Sequence, residues 1–113
     1  MGGMTRPTGP DAPRLPALSL AVLYTDRLEE CREFYRALGL DLRRERHGRG
    51  PEHFAAVLGG GAVFELYPAS GERRTGAVRL AFAVDGAAAR PPLEPGRHLL
   101  TDPDGRTVEV HAG

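Results

Sequence analysis

The chain has 113 residues, with 15 basic and 15 acidic side chains and a formal net charge of zero, a balance that gives no general attraction to nucleic acid or to an anionic membrane. That length suits one domain with a single hydrophobic core. No apolar run approaches the roughly 20 residues of a membrane helix, and the Gly- and Pro-rich start lacks the apolar stretch of a signal peptide, so a cytoplasmic protein is expected. Cys31 is the sole cysteine, which excludes an intrachain disulfide and a multi-thiolate metal site within the chain.

In chain order, residues 1–15 read as a flexible N-terminal arm, because Gly2, Gly3, Pro7, Gly9, Pro10 and Pro13 discourage regular structure. One domain, residues 16–113, follows. Leu18–Asp26 reads as a strand. Asp26 is the expected N-cap of an amphipathic helix in which Leu28, Cys31, Phe34, Tyr35 and Leu38 recur at helical spacing, and Gly39 ends it. Leu40–Arg46 is predicted to be a charged, exposed edge strand. The His47-Gly48-Arg49-Gly50-Pro51 segment is either a loop over a cleft mouth or a solvated turn. A strand over Glu52–Leu58, the Gly59-Gly60-Gly61 turn and the Ala62–Tyr67 strand complete a βαβββ unit.

A second, shortened unit begins at Ala77. Gly86-Ala87-Ala88-Ala89 leaves room for about one helical turn before Pro91-Pro92, so its helix is vestigial. Arg97–Thr101 and Arg106–His111 form a final hairpin around Asp102-Pro103-Asp104-Gly105, where Pro103 presets φ and Gly105 supplies positive φ. The expected fold class is α+β: two βαβββ-like modules, the second shortened, with seven or eight strands curving around a cleft.

Several of these pieces, in this order, resemble the vicinal oxygen chelate superfamily of glyoxalase I, extradiol dioxygenases and the bleomycin- and fosfomycin-resistance proteins. They are Leu18–Asp26, the Phe34-Tyr35 … Leu38-Gly39 helix and exit, Phe64-Glu65-Leu66-Tyr67-Pro68, Leu80–Asp85 and Asp102-Pro103-Asp104-Gly105. The resemblance spans roughly residues 17 to 111. It implies a small-molecule cleft lined by one face of the sheet. It further implies, for the metal enzymes of the group, ligands from the first and last strand of each module.

The last-strand ligand positions match Glu65 and Glu109, whereas the first-strand positions fall on Ser19 and Arg79, neither suited to the usual metal. Strand alternation sends Val63, Glu65 and Tyr67 to the cleft with Thr107, Glu109 and His111. It sends Phe64, Leu66, Val108 and Val110 to the core. Leu80 and Phe82 are expected in the core, with Arg79, Ala81 and Ala83 facing the cleft, and Ser19, Ala21 and Leu23 are expected to join them. Both glutamates are thus expected in one cavity, where an unpaired buried carboxylate needs a partner: Arg79, water, a ligand or a metal.

The expected ligand-contacting set is Arg79, Glu65, Glu109, Tyr67, His53 and Ser19, with no cofactor. The resemblance points first to a homodimeric small-molecule-binding protein lacking the standard metal site, with no nucleic-acid or membrane partner. Two alternatives stand beside it. One is a lyase, isomerase or dioxygenase whose divalent metal ion is held by Glu65 and Glu109, with His53 as an unusual third ligand. The other is a metal-free enzyme with a glutamate general base and Arg79 at an oxyanion.

Overall fold

The computed structural model describes residues 14–113, so the expected N-terminal arm lies outside the described residues except for Arg14 and Leu15. Seven strands and one α-helix follow the order β1 (Leu20–Thr25), α1 (Leu28–Ala37), β2 (Arg43–Glu45), β3 (His53–Val57), β4 (Val63–Pro68), β5 (Leu80–Val84), β6 (Gly96–Thr101) and β7 (Thr107–Ala112). They form two mixed sheets, ordered β1-β4-β3-β2 and β5-β7-β6. In each sheet a parallel pair, β1 with β4 or β5 with β7, adjoins an antiparallel one. This is the expected α+β arrangement of two related modules, the second one strand short.

One core serves both modules. Alternation along β4 buries Phe64 and Leu66, and alternation along β7 buries Val108 and Val110, while Leu23, Cys31, Tyr35, Phe54 and Ala56 close around them. Phe82 joins edge-on against Phe64, with ring centroids 5.6 Å apart. Burying each such side chain contributes about 1.5–3 kcal/mol. Burial also pushes the Cys31 thiol above its ordinary pKa, so this free cysteine packs as a small apolar residue.

Helix α1 owes its end to Gly39, whose φ of +110° admits a paired closing bond: Gly39 N–H donates to the Arg36 carbonyl and Leu40 N–H to that of Tyr35. Its start differs from expectation. Arg27, not Asp26, is the capping residue. The Arg27 amide donates to Thr25 Oγ1, and Asp26 is turned outward to pair with Arg74. The second module's helix is a single 3₁₀ turn, Gly86–Ala88, opened by Asp85 Oδ1 accepting from Ala87 N–H.

The Asp102–Gly105 turn anchors the modules to each other. Gly105 has φ +86° and its amide donates to the Asp102 carbonyl. The buried Asp102 carboxylate accepts from the Tyr35 hydroxyl at 2.7 Å, the Arg106 guanidinium at 3.1 Å and the amides of Asp104 and Arg106. Arg106 in turn donates to the carbonyls of Tyr24 and Thr75. Two of the sequence markers, Phe-Tyr on the helix and Asp-Pro-Asp-Gly on the turn, thus meet at one buried ion pair.

Candidate functional site

With one face of each sheet committed to the core, the other carries the polar side chains. Register places Ala55 and Val22 beside Glu65 on either side of β4. His53 and Tyr67 therefore share the face of Glu65, and their rings stack at 4.0 Å between centroids, 9° from parallel. Tyr24 extends the row, 5.7 Å from Tyr67. Burial, followed by the charge of Glu65, raises the Tyr67 phenol above its ordinary pKa.

His53 is only 1% exposed. Its Nδ1 lies 3.2 Å from the Pro51 carbonyl, which can only accept, so Nδ1 carries a proton. Nε2 then points at Glu45 Oε1 and Glu65 Oε2, 3.4 and 3.9 Å away, and makes no hydrogen bond. His47 Nε2 is also 3.4 Å from Glu45 Oε1. The hollow beside this group, about 520 Å³, is lined by Asp41, Arg43, Glu45, Ala55, Val57, Val63 and Glu65.

On the second sheet Glu109 is the centre. Arg97 donates to it at 2.9 Å and Arg79 at 3.2 Å, and His111 Nε2 lies at 2.6 Å. The bond from Arg97, then that from His111, holds the Glu109 carboxyl down to about 2. Arg79 and Thr107 also line a larger hollow, about 610 Å³, at the junction of the modules, with Tyr24, Thr75, Val78 and Arg106.

Several expectations are corrected. Ala21 and Leu23 do not face the cleft: Leu23 is buried in the core and Ala21 packs against it, because the parallel register pairs Val22, not its neighbours, with Glu65. Ser19 lies just before β1, exposed, and binds through its carbonyl, which accepts from Val63 N–H. Glu65 and Glu109 stand on different sheets, each with its own partners, and Arg79 neutralises Glu109 rather than Glu65. Two residues with a part here, Glu45 and His47, lie outside the site expected from the sequence. Their signal is the β2–β3 hairpin, which sets Glu45 directly opposite His53.

A metal at the superfamily's usual position does not fit these residues. On the face of Glu65, β1 offers Leu20, Val22 and Tyr24, which include no customary ligand, and Glu109 is already occupied by two guanidinium groups.

No protein-family model and no curated protein matches the sequence. Solved structures do. TnmS3, an antibiotic binding protein from Streptomyces sp. CB03234, superposes with a TM-score of 0.60 at 19% identity, over 87% of this chain and 96% of that one. A glyoxylase/bleomycin resistance protein/dioxygenase domain from Frankia sp. EAN1pec gives 0.55 at 22% identity, over 88% and 99%. Lactoylglutathione lyase from Agrobacterium tumefaciens gives 0.53 at 22%, over 86% and 93%. The chain has the vicinal oxygen chelate fold. Within that fold the described residues include no helix long and apolar enough to cross a membrane. A vicinal oxygen chelate scaffold serves both a binding protein and a lyase, so the choice between them rests on the side chains.

Proposed function

We propose that the protein binds an anionic small molecule in the hollow where its modules meet, without the metal site of the superfamily's enzymes, and works as a cytoplasmic homodimer. The observation that carries this reading is the state of Glu109, paired by Arg79, Arg97 and His111. So paired, it is a poor metal ligand, and it holds Arg79 at the rim of the hollow. Arg79 spends one nitrogen on Glu109 and retains donors for a carboxylate or carbonyl oxygen. Tyr24 supplies an aromatic wall of the hollow, and Thr75 and Thr107 offer hydroxyl groups along it.

The hollow's size is in the range of drug-sized ligands, about 300–1,000 Å³. TnmS3, which shares the fold, is itself an antibiotic binding protein, so the scaffold is compatible with this reading. The test is thermal unfolding against a panel of aromatic carboxylates in the presence of a chelator. At least one should raise Tm in the wild type and have no effect on Arg79→Ala, whose side chain is 61% exposed and can be removed without disturbing the core. Stabilisation that requires added metal, or that survives in Arg79→Ala, would overturn the reading.

A further inference from the structure

We infer that Glu45, His47, His53 and Glu65 form a binding site for one divalent transition-metal ion, held entirely within the first sheet. The inference does not depend on the ligand proposed above, because none of the four lines the hollow at the module junction.

The donor atoms of these four residues all lie within 4.8 Å of one another. Ligands standing about 2.0–2.2 Å from a zinc ion at tetrahedral angles are separated by roughly 3.3–3.6 Å. The Glu45–His53 and Glu45–His47 separations, both 3.4 Å, match that spacing. The Glu65–His53 separation of 3.9 Å needs only a small inward movement of a carboxylate.

The second observation is the orphaned Nε2 of His53. This atom is buried and bonded to nothing, and with Nδ1 at the Pro51 carbonyl it is left facing the carboxylates of Glu45 and Glu65. A buried polar atom without a partner is costly, and a cation at the centre of the four donors gives it one. The Nδ1–H bond to a backbone carbonyl is also the outer contact that fixes tautomer and ring orientation in histidine metal ligands, and the stacked Tyr67 ring holds the imidazole plane.

Two imidazoles and two carboxylates suit Zn²⁺ and its neighbours in the first transition row. Four protein donors close a tetrahedral site, so the ion acts as a structural clamp. The element it would clamp is β2, three exposed residues at the sheet edge, with the His47 turn beyond it.

The experiment uses the full chain, purified without metal-affinity chromatography, treated with chelator and titrated with Zn²⁺ by calorimetry and with Co²⁺ by visible absorption. One equivalent of Zn²⁺ is expected to bind and raise Tm, and Co²⁺ to give the intense d–d bands of a tetrahedral ion. Glu45→Gln and His47→Ala lie at exposed positions and keep the fold. Each should weaken Zn²⁺ by more than about ten-fold, the loss that even outer-shell changes produce, and His53→Gln should abolish the Co²⁺ bands. His111→Ala, which removes the other histidine–glutamate contact, should leave both readouts unchanged. Absence of Zn²⁺ binding, equal binding in Glu45→Gln and His47→Ala, or equal loss in His111→Ala would overturn the assignment. So would a nitrogen NMR spectrum showing His53 Nε2 protonated at neutral pH and unmoved by Zn²⁺, since a proton would then fill the cation's place.

Discussion

Asp102 and Arg106 show how differently two ion pairs of the same chemistry behave. The Asp102 and Arg106 side chains are 0% and 3% exposed, and four donors reach the carboxylate. Burial and the Asp102 charge both push the Tyr35 phenol far up, keeping it the neutral donor this arrangement needs. Asp102→Asn removes the fully buried one of the two carboxylates that pair with Arg106, Asp104 at 3.0 Å being the other, so it should cost about 2–3 kcal/mol in urea unfolding, less than the loss of an only partner. Asp41 meets Arg43 at a similar distance, 2.9 Å, but their side chains are 65% and 79% exposed. Solvent screening makes Asp41→Asn worth under about 1 kcal/mol. Equal losses in the two variants would mean that the turn, not the buried charge, is what Asp102 supports. In the sequence this segment reads as a turn and a family marker, with nothing to show the buried ion pair, since Asp at the head of a turn is common wherever a chain reverses. Nothing local distinguishes a solvated turn aspartate from one covered by a tyrosine 67 residues away.

At the scale of elements, legibility followed how cleanly each strand alternates. Val63–Tyr67 and Thr107–His111 interleave a charged residue with apolar ones, and their faces are oriented as read. Leu20-Ala21-Val22-Leu23 is apolar throughout and parallel to its neighbour, so periodicity could not choose its inward set, and only pairing with β4 does. Hairpin register hid Glu45 for the same reason: a carboxylate on a charged strand becomes a site residue only once it is set opposite His53. The vestigial helix, by contrast, was readable from its length, and its first residue explains the tight join. A Cβ on Gly86 would stand 2.4 Å from the Leu93 carbonyl oxygen and 2.9 Å from Ala112 Cβ. Gly86→Ala must therefore move the backbone next to β7 and should destabilise by about 1–3 kcal/mol. Gly76→Ala meets nothing within 4 Å and serves as the neutral control in the same denaturation series. A neutral Gly86→Ala would show that the 92–95 segment yields freely.

At the scale of the molecule, the two sheets spend one face each on a shared core and leave the other unpaired. Those open faces are not wholly polar: Leu20 is 51% exposed and Leu99 54%, beside Ala81 and Ala83 on β5. Among the described residues the sheets also end in edge strands, β1 and β2 on one and β5 and β6 on the other; Thr75 covers β1 only at Tyr24, and edges with apolar neighbours are surfaces that another chain covers. A second copy is the partner proposed here, because a two-fold pairing lets the same patch serve both subunits. An interface that is stable at micromolar concentration needs about 1,200–2,000 Å² in total, more than one isolated leucine supplies, so it must extend across the open face of one sheet or both. Leu20→Lys and Leu99→Lys place charges on different sheets without entering the core. Sedimentation of the wild type should give a dimer, with one or both variants shifted toward monomer and the far-UV spectrum unchanged. If only one variant dissociates, the interface uses a single sheet, and the open face of the other is left to the ligand alone. A wild type that is monomeric at every concentration would remove the homodimer from the proposed function, while the hollow at the module junction, built wholly from one chain, would still stand to be tested by its carboxylate ligands.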